Sequence, residues 1–198
     1  MKLLLATTNP GKRREIEKHL APLGVEVITL AEAGIEPAEE AGETFEENAW
    51  LKASSAARQS GLWALAEDSG LEVDALGGRP GVYSARFAGP QASDAENNRK
   101  LLEALEGVPE HLRGARFRAV MVLASPAGER WVAEGVCEGS IALSPRGEGG
   151  FGYDPLFLFE GRTFAEMSPA QKDAVSHRGK ALRAIVAHLR GLLERGEA

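Results

Sequence analysis

Apolar and polar positions change period repeatedly along the chain, and each change marks an element. Leu3 to Ala6 is a short apolar run and reads as a buried strand. A helix is predicted from Pro10 to about Leu20, with Asn9 as N-cap, Pro10 in the first helical position, and Ile16 and Leu20 on one face. Arg13, Arg14 and Glu17 fall on its solvated side. Val25 to Leu30 predicts a second strand, and residues 35–44 are irregular and acidic. Thr44 and Glu47 form a capping box for a helix that runs to Ser60 and stops at Gly61, with Phe45, Ala49, Ala53, Ala56 and Ala57 inward. Next comes an apolar run from Trp63, then Glu67-Asp68-Ser69-Gly70, then apolar–acidic alternation from Leu71 to Ala75. This pattern predicts a hairpin with its turn at Asp-Ser-Gly.

Ser93 and Glu96 form another capping box, opening a helix with Leu101, Leu102 and Leu105 inward. Arg116–Ala124 and Arg130–Cys137 read as long strands around the turn Ser125-Pro126-Ala127-Gly128, and Glu138–Leu143 continues the sheet. Phe157–Phe159 is the last predicted strand. Ser168 and Gln171 cap a further helix, and Ser176–Lys180 opens a C-terminal one with Leu182, Ile185, Leu189 and Leu192 inward.

Composition narrows the class. The 198 residues suit one domain, or one domain with two lobes, and can bury a sizeable core. With 43% apolar and 26% charged residues the chain is ordinary for a globular protein. A formal net charge of -6 argues against a nucleic-acid or membrane surface. An anionic ligand then needs local Lys, Arg or a metal ion. The single cysteine, Cys137, has no internal partner and reads as a small core residue. The apolar N-terminal run is too short for a signal peptide, and no stretch approaches a membrane span. A reduced cytoplasm is the expected location.

Several stretches carry candidate chemistry. Thr7-Thr8-Asn9-Pro10-Gly11-Lys12 joins a strand to a helix, which aims backbone N–H groups and a positive dipole end at an anion, with side-chain donors beside them. An ordinary capped helix is the alternative, and Ala6 in place of a first glycine excludes a Walker loop. Asn48 and Lys52 share one side of their helix, and Lys52 is either a surface lysine or a phosphate contact. Residues 77–87 form a loop specified by Gly and Pro. The run Gly147–Pro155 matches a dinucleotide fingerprint by spacing only, since no strand-to-helix context surrounds it. Its glycines admit a ligand to the backbone, and Phe151 and Tyr153 are candidates to stack on a flat ring. His177 and Arg178 sit in the first turn of a helix, where cations oppose the dipole and an acceptor ligand compensates.

Taken in order, Thr-Thr-Asn-Pro-Gly-Lys (7–12), Gly-Glu-Thr-Phe-Glu-Glu-Asn-Ala (42–49), Glu-Asp-Ser-Gly-Leu (67–71), residues 77–87, Gly-Gly-Phe-Gly-Tyr-Asp-Pro (149–155) and Ser-His-Arg (176–178) strongly resemble the inosine triphosphate pyrophosphatase family over essentially the whole chain. The resemblance implies an α/β fold: an elongated mixed β-sheet flanked by helices, in two lobes with an active-site cleft between them. It implies hydrolysis of ITP, dITP and XTP to the monophosphate and pyrophosphate, Mg²⁺ as cofactor, and a homodimer. Carried over by motif, Thr7, Thr8, Asn9, Pro10, Gly11, Lys12 and Lys52 hold the triphosphate. Asp68 is the catalytic acidic residue and a metal ligand, and Ser69 contacts substrate. Glu39 aligns with the second metal ligand, with the adjacent Glu40 as the alternative. Phe151, Gly152, Tyr153, Asp154, Lys172, His177 and Arg178 bind the nucleotide, with Lys172 as a charge on the phosphates and Arg178 as donor to a keto oxygen at purine C6. A pyrophosphatase for pyrimidine or modified nucleotides, and a nucleotide sensor without turnover, are the competing readings.

Overall fold

The computed structural model describes residues 1–198. In chain order the elements are β1 (Lys2–Leu5), α1 (Pro10–Leu20), β2 (Glu26–Thr29), α2 (Leu30–Ala33), α3 (Phe45–Ser60), β3 (Trp63–Val73), α4 (Asp94–Ala104), β4 (Gly114–Ala124), β5 (Arg130–Ile141), β6 (Phe157–Phe159), β7 (Arg162–Thr163), α5 (Pro169–Val175) and α6 (His177–Arg195). The strands form one mixed sheet in the order β2-β1-β3-β4-β5-β6-β7. β1 is parallel to both β2 and β3, whereas β6 is antiparallel to β5 and β7. The expected α/β class, a mixed sheet flanked by helices, is therefore present.

The chain packs as two compact units, each discontinuous in sequence. The first comprises 1–68, 119–135 and 178–198, and the second 69–118 and 136–177. In the first unit β3 separates two apolar clusters by alternation. Leu65 packs with Ile16 and Leu20 of α1 and with Leu182, Ile185 and Leu189 of α6. Ala64 and Ala66 pack with Ala49, Ala53, Ala56 and Ala57 of α3. The small residues let α3 approach the strand closely. The second unit has its own core, in which Leu71, Leu101, Leu105, Phe117, Phe157 and Phe164 join Cys137 and Tyr153.

Most caps lie where the residue pattern puts them. Asn9 caps α1 with Pro10 behind it, and capping boxes open α3 at Thr44, α4 at Ser93 and α5 at Ser168. Gly61 closes α3 in the left-handed region, with φ 69°. Three expectations change. The predicted turn at Glu67-Asp68-Ser69-Gly70 does not exist, because β3 runs unbroken from Trp63 to Val73. Turn chemistry needs Asp68 to bond its own backbone, but its carboxylate is taken by a side chain of α3. Phe157–Phe159, expected as the last strand, is followed by one more, β7, which pairs antiparallel with it. Leu30, assigned to the second strand, instead opens α2, where Thr29 and Glu32 form a capping box that the apolar run concealed.

Candidate active site

Consecutive residues of β3 point to opposite faces, so Glu67 continues the Leu65 side and Asp68 the Ala64–Ala66 side. Each side meets different helices. Glu67, 1% exposed, is held by Arg178 in a bidentate pair, Nε–Oε2 at 2.7 Å and Nη2–Oε1 at 2.9 Å. Arg178 also donates from Nη1 to Glu15 Oε2 at 2.8 Å, and Lys12 Nζ lies 3.9 Å from Glu67 Oε1. Asp68, 4% exposed, accepts a hydrogen bond from Asn48 Nδ2 at 3.0 Å. Asn48 is fixed in turn by the Gly42 N–H, which donates to its Oδ1 at 2.8 Å. A Cβ on Gly42 would press on that same oxygen, which explains the glycine at this position. Lys52, one turn beyond Asn48 on α3, donates to Glu40 Oε1 and to the Glu67 carbonyl, both at 2.6 Å.

Four carboxylates and three cations are thus gathered in the first unit, and burial sets their proton affinities. Loss of solvent pushes the Asp68 carboxyl above the usual carboxylate range; Lys52 pulls it back in part, and Glu40 pushes it further up. Burial likewise lowers the Lys12 ammonium, against the pull of Glu67. Burial also opposes the charge on Arg178, but Glu67 and Glu15 outweigh it and hold the guanidinium firmly protonated. At the start of α1, Asn9 Oδ1 accepts from the Lys12 N–H at 3.0 Å and Thr7 Oγ1 from the Asn9 N–H at 3.3 Å. Gly11 keeps a first-turn N–H that no helical carbonyl reaches. Thr8, Asn9 and Pro10 are exposed beside it, and Thr7 is half-buried.

The second unit holds another cluster. Lys172, 5% exposed, donates to Asp154 Oδ2 at 2.7 Å and lies 4.5 Å from the Phe151 ring centroid. The same Asp154 oxygen accepts from the Phe151 N–H at 3.0 Å. Gly150 has φ 70°, and a Cβ there would run into the Asp154 carboxylate, so only glycine permits this turn. The His177 ring stacks on Phe117 at 4.6 Å. Ser69 follows Asp68 on β3 and is half-buried. The Ham1 family model matches residues 3–188.

The chain belongs to the Ham1 family. The family resemblance carried by its motifs is thereby borne out. It is 56% identical over 188 residues to a dITP/XTP pyrophosphatase of Thermus thermophilus, covering 94% of this chain and 90% of that protein. It is 54% identical over 186 residues to a dITP/XTP pyrophosphatase of Desulforamulus reducens, covering 92% of each. The solved structure of a HAM1 protein from Coxiella burnetii superposes with a TM-score of 0.88 at 44% identity, covering 96% of this chain and 98% of that one.

Within this Ham1 chain three expected residues are placed differently. Arg178, expected at the base, is clasped by Glu67 and Glu15 in the carboxylate cluster. Tyr153, expected to stack on a ring, is buried in the second core, and its hydroxyl donates to the Ser84 carbonyl at 2.6 Å. Burial raises its phenol pKa, so it stays a donor. Lys172, expected on the phosphates, is paired with Asp154 over Phe151. Of the two candidate acids, Glu39 is exposed, and Glu40 is the one that meets Lys52 and acts on Asp68.

Asn48, Glu67 and Glu15 entered the site without a role assigned from sequence. The spacing of Asn48 and Lys52 was the available signal for the first of these. No group of three or more His, Cys, Asp or Glu side chains forms a ready metal cage. Asp68 and Glu40 nonetheless suit a hard divalent cation, which takes one or two carboxylates and keeps waters. A cation there would also offset the upward push that Glu40 exerts on the Asp68 carboxyl.

Proposed function

We propose that the chain hydrolyses ITP, dITP and XTP to the nucleoside monophosphate and pyrophosphate, removing deaminated purines from nucleotide pools. The observation that carries this is the setting of Asp68: buried on β3, oriented by Asn48, with Lys52 and Lys12 as charges in its field. A water oxygen forms the new bond to the α-phosphorus while the bond to the bridging oxygen breaks and pyrophosphate departs. Asp68, oriented by Asn48, takes the water's proton. Lys12, Lys52 and the first turn of α1 neutralise the phosphates. Mg²⁺ held by Asp68 and Glu40 would neutralise phosphate oxygens and make a bound water more acidic.

Phe151 is the stacking ring for the base. With Arg178 committed to carboxylates, discrimination at purine C6 falls to the residues around Phe151, Lys172 and His177. A site built to hydrogen-bond a keto oxygen rejects adenine, because its donors are then left unpaired. A homodimer acting in a reduced cytoplasm belongs to the same proposal.

The test is pyrophosphate release from ITP, dITP, XTP, GTP, ATP and dTTP, with Mg²⁺ and with EDTA. Fast Mg²⁺-dependent release from the inosine and xanthine nucleotides alone is expected. Orthophosphate without pyrophosphate would contradict attack at the α-phosphorus. Rapid dTTP cleavage without ITP cleavage would reverse the substrate class.

A further inference from the structure

We propose that Asp94 and Asn98 of α4 are positioning residues for the glycine-rich loop: they hold both main-chain groups of Gly152 and so set where Phe151 presents its ring to the base. The inference rests on the function proposed above. Asp94 Oδ2 accepts a hydrogen bond from the Gly152 N–H at 2.9 Å, and Asn98 Nδ2 donates to the Gly152 carbonyl at 2.9 Å. The two side chains stand four residues apart and share a face of α4. One helix thus holds the two peptide units that flank a single Cα, across 58 and 54 residues of sequence.

The loop needs such a grip. Gly152 has φ 61° and Gly150 φ 70°, and glycine backbone has wide freedom unless something outside it imposes a conformation. On one flank Phe151 is tied through its N–H to Asp154, and on the other Tyr153 is anchored by its hydroxyl to the Ser84 carbonyl. The Gly152 contacts complete a run of three consecutive fixed residues, of which Phe151 is the only half-buried ring. Asn98 Nδ2 also donates to the Asp94 carbonyl at 2.8 Å, while its Oδ1 is buried with no hydrogen-bond partner. An unsatisfied buried acceptor is unfavourable, and it arises here because the amide is turned to present its donors to the Gly152 and Asp94 carbonyls. The neighbouring Asn97 holds residues 85 and 88 of the preceding loop in a similar way, so α4 is the element to which this region is pinned.

The experiment compares wild type, Asp94→Ala, Asn98→Ala and Asp94→Asn in ITP hydrolysis, in inhibition by inorganic tripolyphosphate, and in amide hydrogen exchange over residues 147–156. In the alanine variants KM for ITP rises about tenfold with kcat within about twofold, as expected when a contact used equally in ground and transition states is lost. Exchange at the loop accelerates in the same variants, and tripolyphosphate inhibition is unchanged because that probe has no base. Asp94→Asn keeps an acceptor for the Gly152 N–H and restores KM. Unchanged KM and exchange overturn the inference. So does a joint loss of kcat, KM and tripolyphosphate inhibition in every variant, Asp94→Asn included, which marks a merely structural role. If wild type releases no pyrophosphate from any nucleotide, the proposed function fails separately; accelerated exchange in the alanine variants then still supports the clamp, and unchanged exchange refutes it.

Discussion

Asp68 shows how one residue can be set for chemistry at the expense of stability. Its carboxyl is held above its ordinary proton affinity, mainly by burial. An acid whose folded pKa is raised favours the fold when protonated, and that contribution fades as pH rises through the folded value. At neutral pH the ionised group therefore opposes folding. Asp68→Asn should lower kcat by about 10²–10⁴-fold yet raise Tm at pH 7 in EDTA. Its Tm advantage should shrink as pH falls below the usual carboxylate range, where wild-type Asp68 is also neutral. A thermal scan across pH beside the activity assay checks both, and a Tm lowered at pH 7 would contradict the burial account.

Glu39 and Glu40 allow a second test at this scale, since only Glu40 reaches Lys52 and the field of Asp68. Glu40→Gln should raise the Mg²⁺ concentration for half-maximal rate by at least about tenfold. Glu39→Gln should leave it unchanged, and titrations of Mg²⁺ against initial rate decide the pair. The acidic run itself was legible in the sequence, but the choice within it was not, because adjacent loop residues differ only in where the backbone turns them.

At the level of elements, the helices were readable because their ends are written locally. Ser or Thr followed three residues later by Glu or Gln marks a start whatever packs behind it, as Asn9 ahead of Pro10 does for α1. The capping box of α3 illustrates the weight of such a signal, since Thr44 accepts from the Glu47 N–H and Glu47 answers through the Thr44 N–H. Thr44→Ala should cost about 1 kcal/mol, lowering Tm by about 2–4 °C for a chain of this length. Calorimetry of the variant tests it. Strand β3 is the counter-case. Asp-Ser-Gly favours a turn, yet pairing with β1 and the capture of Glu67 and Asp68 by α6 and α3 keep the backbone extended. Tertiary partners overrode local chemistry at the two residues on which the site depends.

At the scale of the whole molecule, neither unit is one continuous piece of chain. The first draws on 119–135 and 178–198 as well as the first 68 residues, and its α1-side apolar cluster is completed only by Leu182, Ile185 and Leu189 of α6. Oligomeric state belongs to this scale too. Sedimentation equilibrium should give twice the 21.1 kDa chain mass if the proposed homodimer forms, and a monomer at micromolar concentration would refute it. The sequence by itself determined the starts of α1, α3, α4, α5 and α6, the apolar faces of α1, α3 and α6, and the ordered motifs that mark the family, because each depends on neighbours within a few positions. Only the tertiary structure decided that β3 is unbroken, that Arg178 serves Glu67, that Tyr153 is buried, and that Asn48 orients Asp68. Those outcomes depend on groups brought together from 20 to 111 residues apart, and a buried charge or hydroxyl takes whichever partner folding supplies, because leaving it unpaired costs more than any local preference returns.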